Sequence, residues 1–119
     1  MRDFKIHFIP QTSLIKDAIL AINKSSAQLA LVQVSGKLKG VITDGDIRRA
    51  ILSGKNLRCP VTEIMQKNFT YLSEKESEIR ALNVMQREKI RQIPVLNKKG
   101  NITNLFLMDE LLKSNLLLN

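Results

Sequence analysis

The chain repeats itself, and that repeat limits its fold more than any other feature. Ala18, Ile19 and Ile22, an apolar set at helical spacing, recur 63 residues later as Ala81, Leu82 and Met85. Ile93-Pro94-Val95-Leu96 then matches Leu29-Ala30-Leu31-Val32, and Gly100 matches Gly36, both at a distance of 64. One extra residue in the loop before the second strand reconciles the two distances. A period of this length points to a duplicated β-α-β-β-α unit. One copy alone would expose an apolar sheet face, so two are expected to pack about a pseudo-two-fold axis with a cleft between them. The expected fold class is α/β (α+β), with the copies at 1–58 and 59–119 of the 119 residues.

Within the first copy, Ile6 to Ile9 reads as a short extended segment closed by Pro10, with Thr12 and Ser13 as candidate helix caps. Ile15, Ala18, Ile19 and Ile22 form one face of an amphipathic helix ending near Ser25-Ser26. Leu29 to Val34 is an apolar run of strand length, and Ser35-Gly36-Lys37 turns the chain into a second strand ending at Thr43. A helix beginning near Asp46 stops at Ser53-Gly54. Pro60 opens a short turn of helix through Val61, Ile64 and Met65. In the second copy, Thr70-Tyr71-Leu72 is extended, Ser77 caps a helix, and Leu105 to Met108 leads into a helix carrying Leu111 and Leu112. Pro94 has no ladder donor, which predicts an edge strand or a bulge.

The polar groups gather where the Val41-Ile42-Thr43 strand hands over to the following helix. Asp44 or Thr43 can cap the first helical amides, and Gly45 lets a ligand or neighbouring backbone approach. Thr43 and Asp46, three apart, can point the same way from the two sides of the turn. A hydroxyl at a helix start favours a phosphate, while a short carboxylate can accept from the two hydroxyls of a ribose. The plainer alternative is that both side chains only cap the helix.

Composition removes several classes. Aromatic residues are 4% with no Trp, so the core is aliphatic and the stacking platforms of a single-strand nucleic-acid binder are missing. The net charge of +8 is spread through the chain, with only short pairs such as Arg48-Arg49 and Lys98-Lys99. A solvated basic surface is the expected consequence, and a nucleic-acid partner is the weaker alternative. The single cysteine, Cys59, excludes an internal disulfide and points to a reducing compartment. No apolar run is long enough to span a bilayer, and Met1-Arg2-Asp3-Phe4-Lys5 lacks a signal-peptide core, so a cytoplasmic location is expected. His7, the lone histidine, reads as a packed or edge residue rather than a ligand. Asp44 and Asp46 could hold Mg2+ through a nucleotide, but an isolated pair of carboxylates is a weak metal signal, and no phosphate-binding loop, zinc spacing or triad pattern is present. By itself the chain is not expected to be an enzyme.

Gly40-Val41-Ile42-Thr43-Asp44-Gly45-Asp46-Ile47 resembles the motif of tandem cystathionine-β-synthase (CBS) domains, the Bateman module, in which a glycine, two apolar residues and Ser/Thr precede Asp by two variable positions. Arg91-Gln92-Ile93-Pro94-Val95 and Val61-Thr62-Glu63-Ile64-Met65 resemble the second-repeat strand and the linker of such pairs. The resemblance implies a regulatory module that binds AMP, ADP, ATP or a related nucleotide and requires no other cofactor. It puts Thr43 on phosphate and Asp46 on ribose, with Asp44, Arg49 and Arg91 nearby and Arg48 and Lys89 as further phosphate partners. In the second copy Leu107, Glu110 and Asn104 replace the hydroxyl, the carboxylate and the glycine, which implies one competent and one degraded site.

Thr43-Asp44-Gly45-Asp46-Ile47-Arg48-Arg49 is most similar to CBS pairs of sugar-phosphate enzymes, both nucleotidyltransferases, where the pair comes first, and isomerases, where it comes last. A pair starting almost at Met1 favours the nucleotidyltransferase, with its catalytic domain C-terminal to this chain. The resemblance also implies a homodimer, to which Leu116, Leu117 and Leu118 can add. A purely structural dimerisation module with no ligand is the alternative.

Overall fold

Two β-α-β-β-α units are present in the computed structural model, which describes residues 7–24 and 27–118. The units are Met1–Phe69 and Thr70–Asn119. Expectations for Met1-Arg2-Asp3-Phe4-Lys5, for Ile6 and for Ser25-Ser26 lie outside the described residues, as do those for the side chains of Leu116, Leu117 and Leu118.

In the first unit β1 (Phe8–Pro10) runs parallel to β2 (Leu29–Val34), and β2 pairs antiparallel with β3 (Lys37–Thr43), giving the sheet order β1-β2-β3. Helices α1 (Ile15–Asn23) and α2 (Asp44–Leu52) supply Ile15, Ala18, Ile22, Ile47 and Ala50 to a core that includes Ala30, Val32 and Ile42 of the sheet. Leu29 and Leu31, on the alternate positions of β2, are buried as well. A middle strand covered on both faces explains why this run is continuously apolar rather than alternating. Ser35 and Gly36 both have positive φ, 52° and 82°, as a two-residue hairpin loop requires. His7 is buried, as expected of a packed residue.

Neither Thr12 nor Ser13 caps α1. The N-cap is Leu14, whose N–H donates to Asp17 Oδ2 at 2.8 Å. The next amides go to a distant part of the chain: Ile15 N–H donates to Cys59 O at 2.9 Å and Lys16 N–H to Leu57 O at 3.0 Å. The open amides of a helix start donate to any correctly placed carbonyl, and here the chain after α2 returns to provide the acceptors. That returning segment continues through Val61 N–H to Ser13 O at 2.9 Å and a single 3-10 turn, Val61–Glu63, into a two-way pairing of Gln66 with Val41.

In the second unit β4 (Leu72–Ser73) is parallel to β5 (Gln92–Leu96), and β5 is antiparallel to β6 (Ile102–Leu107), in the order β4-β5-β6. Ala81, Val84 and Met85 of α3 (Glu78–Glu88) and Leu111 of α4 (Met108–Leu118) pack with Leu72 and Ile93. Ser77 caps α3 as expected, accepting from Arg80 N–H at 3.1 Å.

The register corrects the placement of the extra residue. Ile9 pairs with Val32 and Leu72 with Val95, and the bulges fall between Val32 and Gln33 and between Val95 and Leu96. The 63-residue distance therefore holds through β5, so Ile93 is the counterpart of Ala30, and both face their helices. A one-residue slip would have turned the apolar set to the opposite face. The added residue lies after β5, where Lys98, Lys99 and Gly100 replace the Ser35-Gly36 turn. Asn97 Oδ1 accepts from the Lys99 and Asn101 amides at 3.0 Å each, and Gly100 takes φ 85°. Pro94 is likewise not on an edge: β5 is the middle strand. The β4 ladder starts only at Val95, and the bulge follows one residue after Pro94, so the missing donor is accommodated there.

Candidate functional site

Helix α2 begins at Asp44, two residues earlier than its apolar periodicity indicates, with Thr43 in extended conformation as its N-cap. Thr43 Oγ1 accepts from Asp46 N–H at 3.4 Å, and Asp46 Oδ2 accepts from Thr43 N–H at 2.9 Å and from the Thr43 hydroxyl at 3.1 Å. This reciprocal arrangement is a capping box with Asp in place of the usual Glu. Both side chains therefore cap the helix, and the box fixes them in one orientation.

Two further donors reach the same carboxylate. Arg49 Nη2 donates to Asp46 Oδ1 at 2.8 Å, and Gln66 Nε2 donates to Oδ1 at 2.9 Å and Oδ2 at 2.8 Å. Asp46 is only 8% exposed, whereas the Arg49 side chain is 70% exposed. The guanidinium lies over Gly45, where an added Cβ would stand 3.1 Å from Nη1. Asp46, Arg49, Ala50, Ser53 and Ile64 line an open depression of about 310 Å³. It combines a carboxylate and an exposed cation with an apolar wall, a lining suited to a polar ligand with a hydrophobic part.

Thr43, Asp44, Asp46 and Arg49 are therefore brought to one corner, with Asp44 exposed on the first turn of α2. Arg91 belongs to the second unit, where its guanidinium pairs with the Asp109 carboxylate and its carbonyl accepts from Met108 N–H at 2.9 Å. The backbone carbonyl of Arg91 thus satisfies an open amide of α4. Register makes Leu107 the counterpart of Thr43, since Leu29 pairs with Thr43 and Gln92 with Leu107. Leucine has no oxygen to repeat the capping box. Among the described residues no group of three or more His, Cys, Asp or Glu is placed to hold a metal ion, and no helix is long and apolar enough to cross a membrane.

Sequence reasoning missed Gln66, which lies twenty positions from Asp46 and reaches it only because residues 59–69 return along β3. Gly40, the glycine of the CBS-like motif, has a packing role that residue order does not show. A Cβ there would stand 2.5 Å from Met65 Sδ, so the glycine admits the returning segment.

Residues 1–53 and 61–116 each match the CBS domain model. The chain belongs to the CBS domain family. Among curated proteins, this CBS pair is 33% identical over 103 residues to arabinose 5-phosphate isomerase GutQ of Shigella flexneri, covering 86% of this chain and 32% of that protein. It is 32% identical over 110 residues to arabinose 5-phosphate isomerase KdsD of Francisella tularensis, covering 92% and 34%. The CBS pair thus spans about a third of the length of the curated relatives it matches. In fold it resembles a CBS domain protein from Pyrobaculum aerophilum complexed with AMP, with a TM-score of 0.78 and 22% identity over 87% of this chain and 80% of that one.

Proposed function

We propose that this CBS pair is a regulatory module that binds an adenosine nucleotide, with Asp46 accepting from the ribose hydroxyls and Thr43 contacting phosphate. The observation that carries the reading is the Asp46 carboxylate, held by its Thr43 capping box at the wall of an open depression. Arg49 and Asp44 border that corner. The AMP complex of a CBS protein with the same fold supports an adenine nucleotide as ligand.

The module serves a sugar-phosphate enzyme. Relatives that are arabinose 5-phosphate isomerases favour an isomerase as the catalytic part and give no support to the nucleotidyltransferase expected from the sequence. Ligand binding acts on that enzyme by favouring one arrangement of the module, with a coupling of roughly 1–3 kcal/mol typical of such control. The chain itself contributes no catalytic group, and its setting is the cytoplasm.

Calorimetric titration with AMP, ADP and ATP tests the reading. Binding by the wild type that is lost in Asp46→Ala supports it, while equal binding by both removes the assignment of Asp46.

A second reading is favoured by exposed apolar residues on α1 and α2: Leu20, Ile51 and Leu52, the last 81% exposed. They suit self-association as a homodimer independent of ligand. Light scattering with and without AMP separates the two, since a dimer that forms in either condition with no heat of binding points to the structural role. A gel shift that vanishes at moderate salt would reduce nucleic-acid binding to nonspecific attraction.

A further inference from the structure

Asp46 is the residue assigned to the sugar, yet its carboxylate is already fully engaged. Five donor contacts converge on it: two from Thr43, two from the Gln66 amide and one from Arg49. A carboxylate offers about four lone-pair directions, so a ligand diol finds no vacant acceptor site unless a present donor leaves.

The three donors differ in how readily they can go. Thr43 is bound up with the start of α2, and releasing it would undo the cap. Arg49 sits one turn along the same helix with its guanidinium exposed. Gln66 comes from another segment; its backbone is held by Val41 N–H to Gln66 O at 3.1 Å and Gln66 N–H to Val41 O at 2.9 Å, while the residue as a whole is exposed. Its amide can therefore swing into solvent without breaking the backbone pairing, where water satisfies it.

We infer that Gln66 sets ligand affinity by competing with the ligand for Asp46: its side-chain amide occupies the sugar-binding carboxylate and must withdraw for a ribose diol to enter. The inference rests on the sugar-binding reading of Asp46. Because the backbone of Gln66 stays fixed beside β3, the competitor is intramolecular and remains at high effective concentration. An amide that occupies the carboxylate for roughly nine-tenths of the time weakens apparent affinity about tenfold. The same geometry connects ligand entry to residues 59–69, the last stretch of the first unit before Thr70.

The test is calorimetric titration of AMP into the 119-residue chain as wild type, Gln66→Ala, Gln66→Met and Asp46→Asn. Methionine keeps the bulk of the side chain without its donors and serves if the alanine variant folds poorly. Both Gln66 variants are expected to bind AMP about tenfold more tightly than wild type, or to bind where wild type does not. Asp46→Asn is expected to lose binding. During titration of the wild type, the Gln66 side-chain amide resonances should move toward their solvent-exposed positions. Unchanged or weaker binding by both Gln66 variants, with stationary Gln66 amide resonances, overturns the competition while leaving the sugar-site reading intact if Asp46→Asn still loses AMP. Failure of AMP to bind to the wild type and to both Gln66 variants overturns the sugar-site reading and the competition together.

Discussion

Replacing Gly40 by alanine measures how firmly residues 59–69 are docked on β3. The new Cβ would lie 2.5 Å from Met65 Sδ, 2.7 Å from its Cγ and 3.0 Å from its Cβ. The last of these atoms is attached directly to the backbone, so a new rotamer of Met65 does not clear the contact and the segment itself has to shift. Overpacking of this kind costs about 1–3 kcal/mol. Alanine returns about 0.4–1 kcal/mol by restricting the unfolded chain. The net loss is on the order of 1–2 kcal/mol, which lowers the melting temperature by roughly 5–10 °C for a unit of this size. A thermal melt followed by circular dichroism measures the loss, and hydrogen exchange at Val41 and Gln66 locates it, because those two amides close the pairing that the shift disturbs. Gly45→Ala is the control: its nearest contact is the flexible end of Arg49, at 3.1 Å, and it melts at or above the wild-type temperature. Adding Met65→Ala to Gly40→Ala should recover part of the loss, a coupling of about 0.5 kcal/mol or more. A Gly40→Ala protein that melts within a degree of wild type, with unchanged exchange at both amides, would refute the docking argument.

Ser77→Ala removes the oxygen that accepts from Arg80 N–H and costs about 1 kcal/mol in a urea titration. Thr12→Ala, which touches no cap, changes the unfolding free energy from the same titration by less than about 0.5 kcal/mol. Thr43→Ala costs about 1–2 kcal/mol through the lost cap and also weakens AMP binding, a pairing of effects that calorimetry and denaturation read separately. Met85→Ala, at a fully buried position against Ile93 and Leu72, costs about 2–5 kcal/mol without altering the α2 corner, as unchanged AMP affinity in the folded protein would verify.

The amphipathic helices, the Ser77 cap and the Thr43–Asp46 pairing all follow from residues within about one helical turn or one strand of each other, and the duplication is the recurrence of such local patterns 63 to 64 residues later. Such short-range relations are written directly in residue order, because period, cap and turn chemistry act locally. The two hairpin turns show the limit of that reading. Gly36 and Gly100 are both visible as turn glycines, yet only the strand register shows that the extra residue enlarges the second turn and leaves β5 in place. Tertiary structure alone decided three other features: the carbonyls of Cys59 and Leu57 at the start of α1, Met65 across Gly40, and Gln66 on Asp46. Each joins residues twenty or more positions apart, and no local preference of the polar stretch after Gly54 specifies where that stretch goes. Its path is chosen by the open helix amides, the gap over a glycine and the buried carboxylate that it meets, groups that stand together only once the chain has folded.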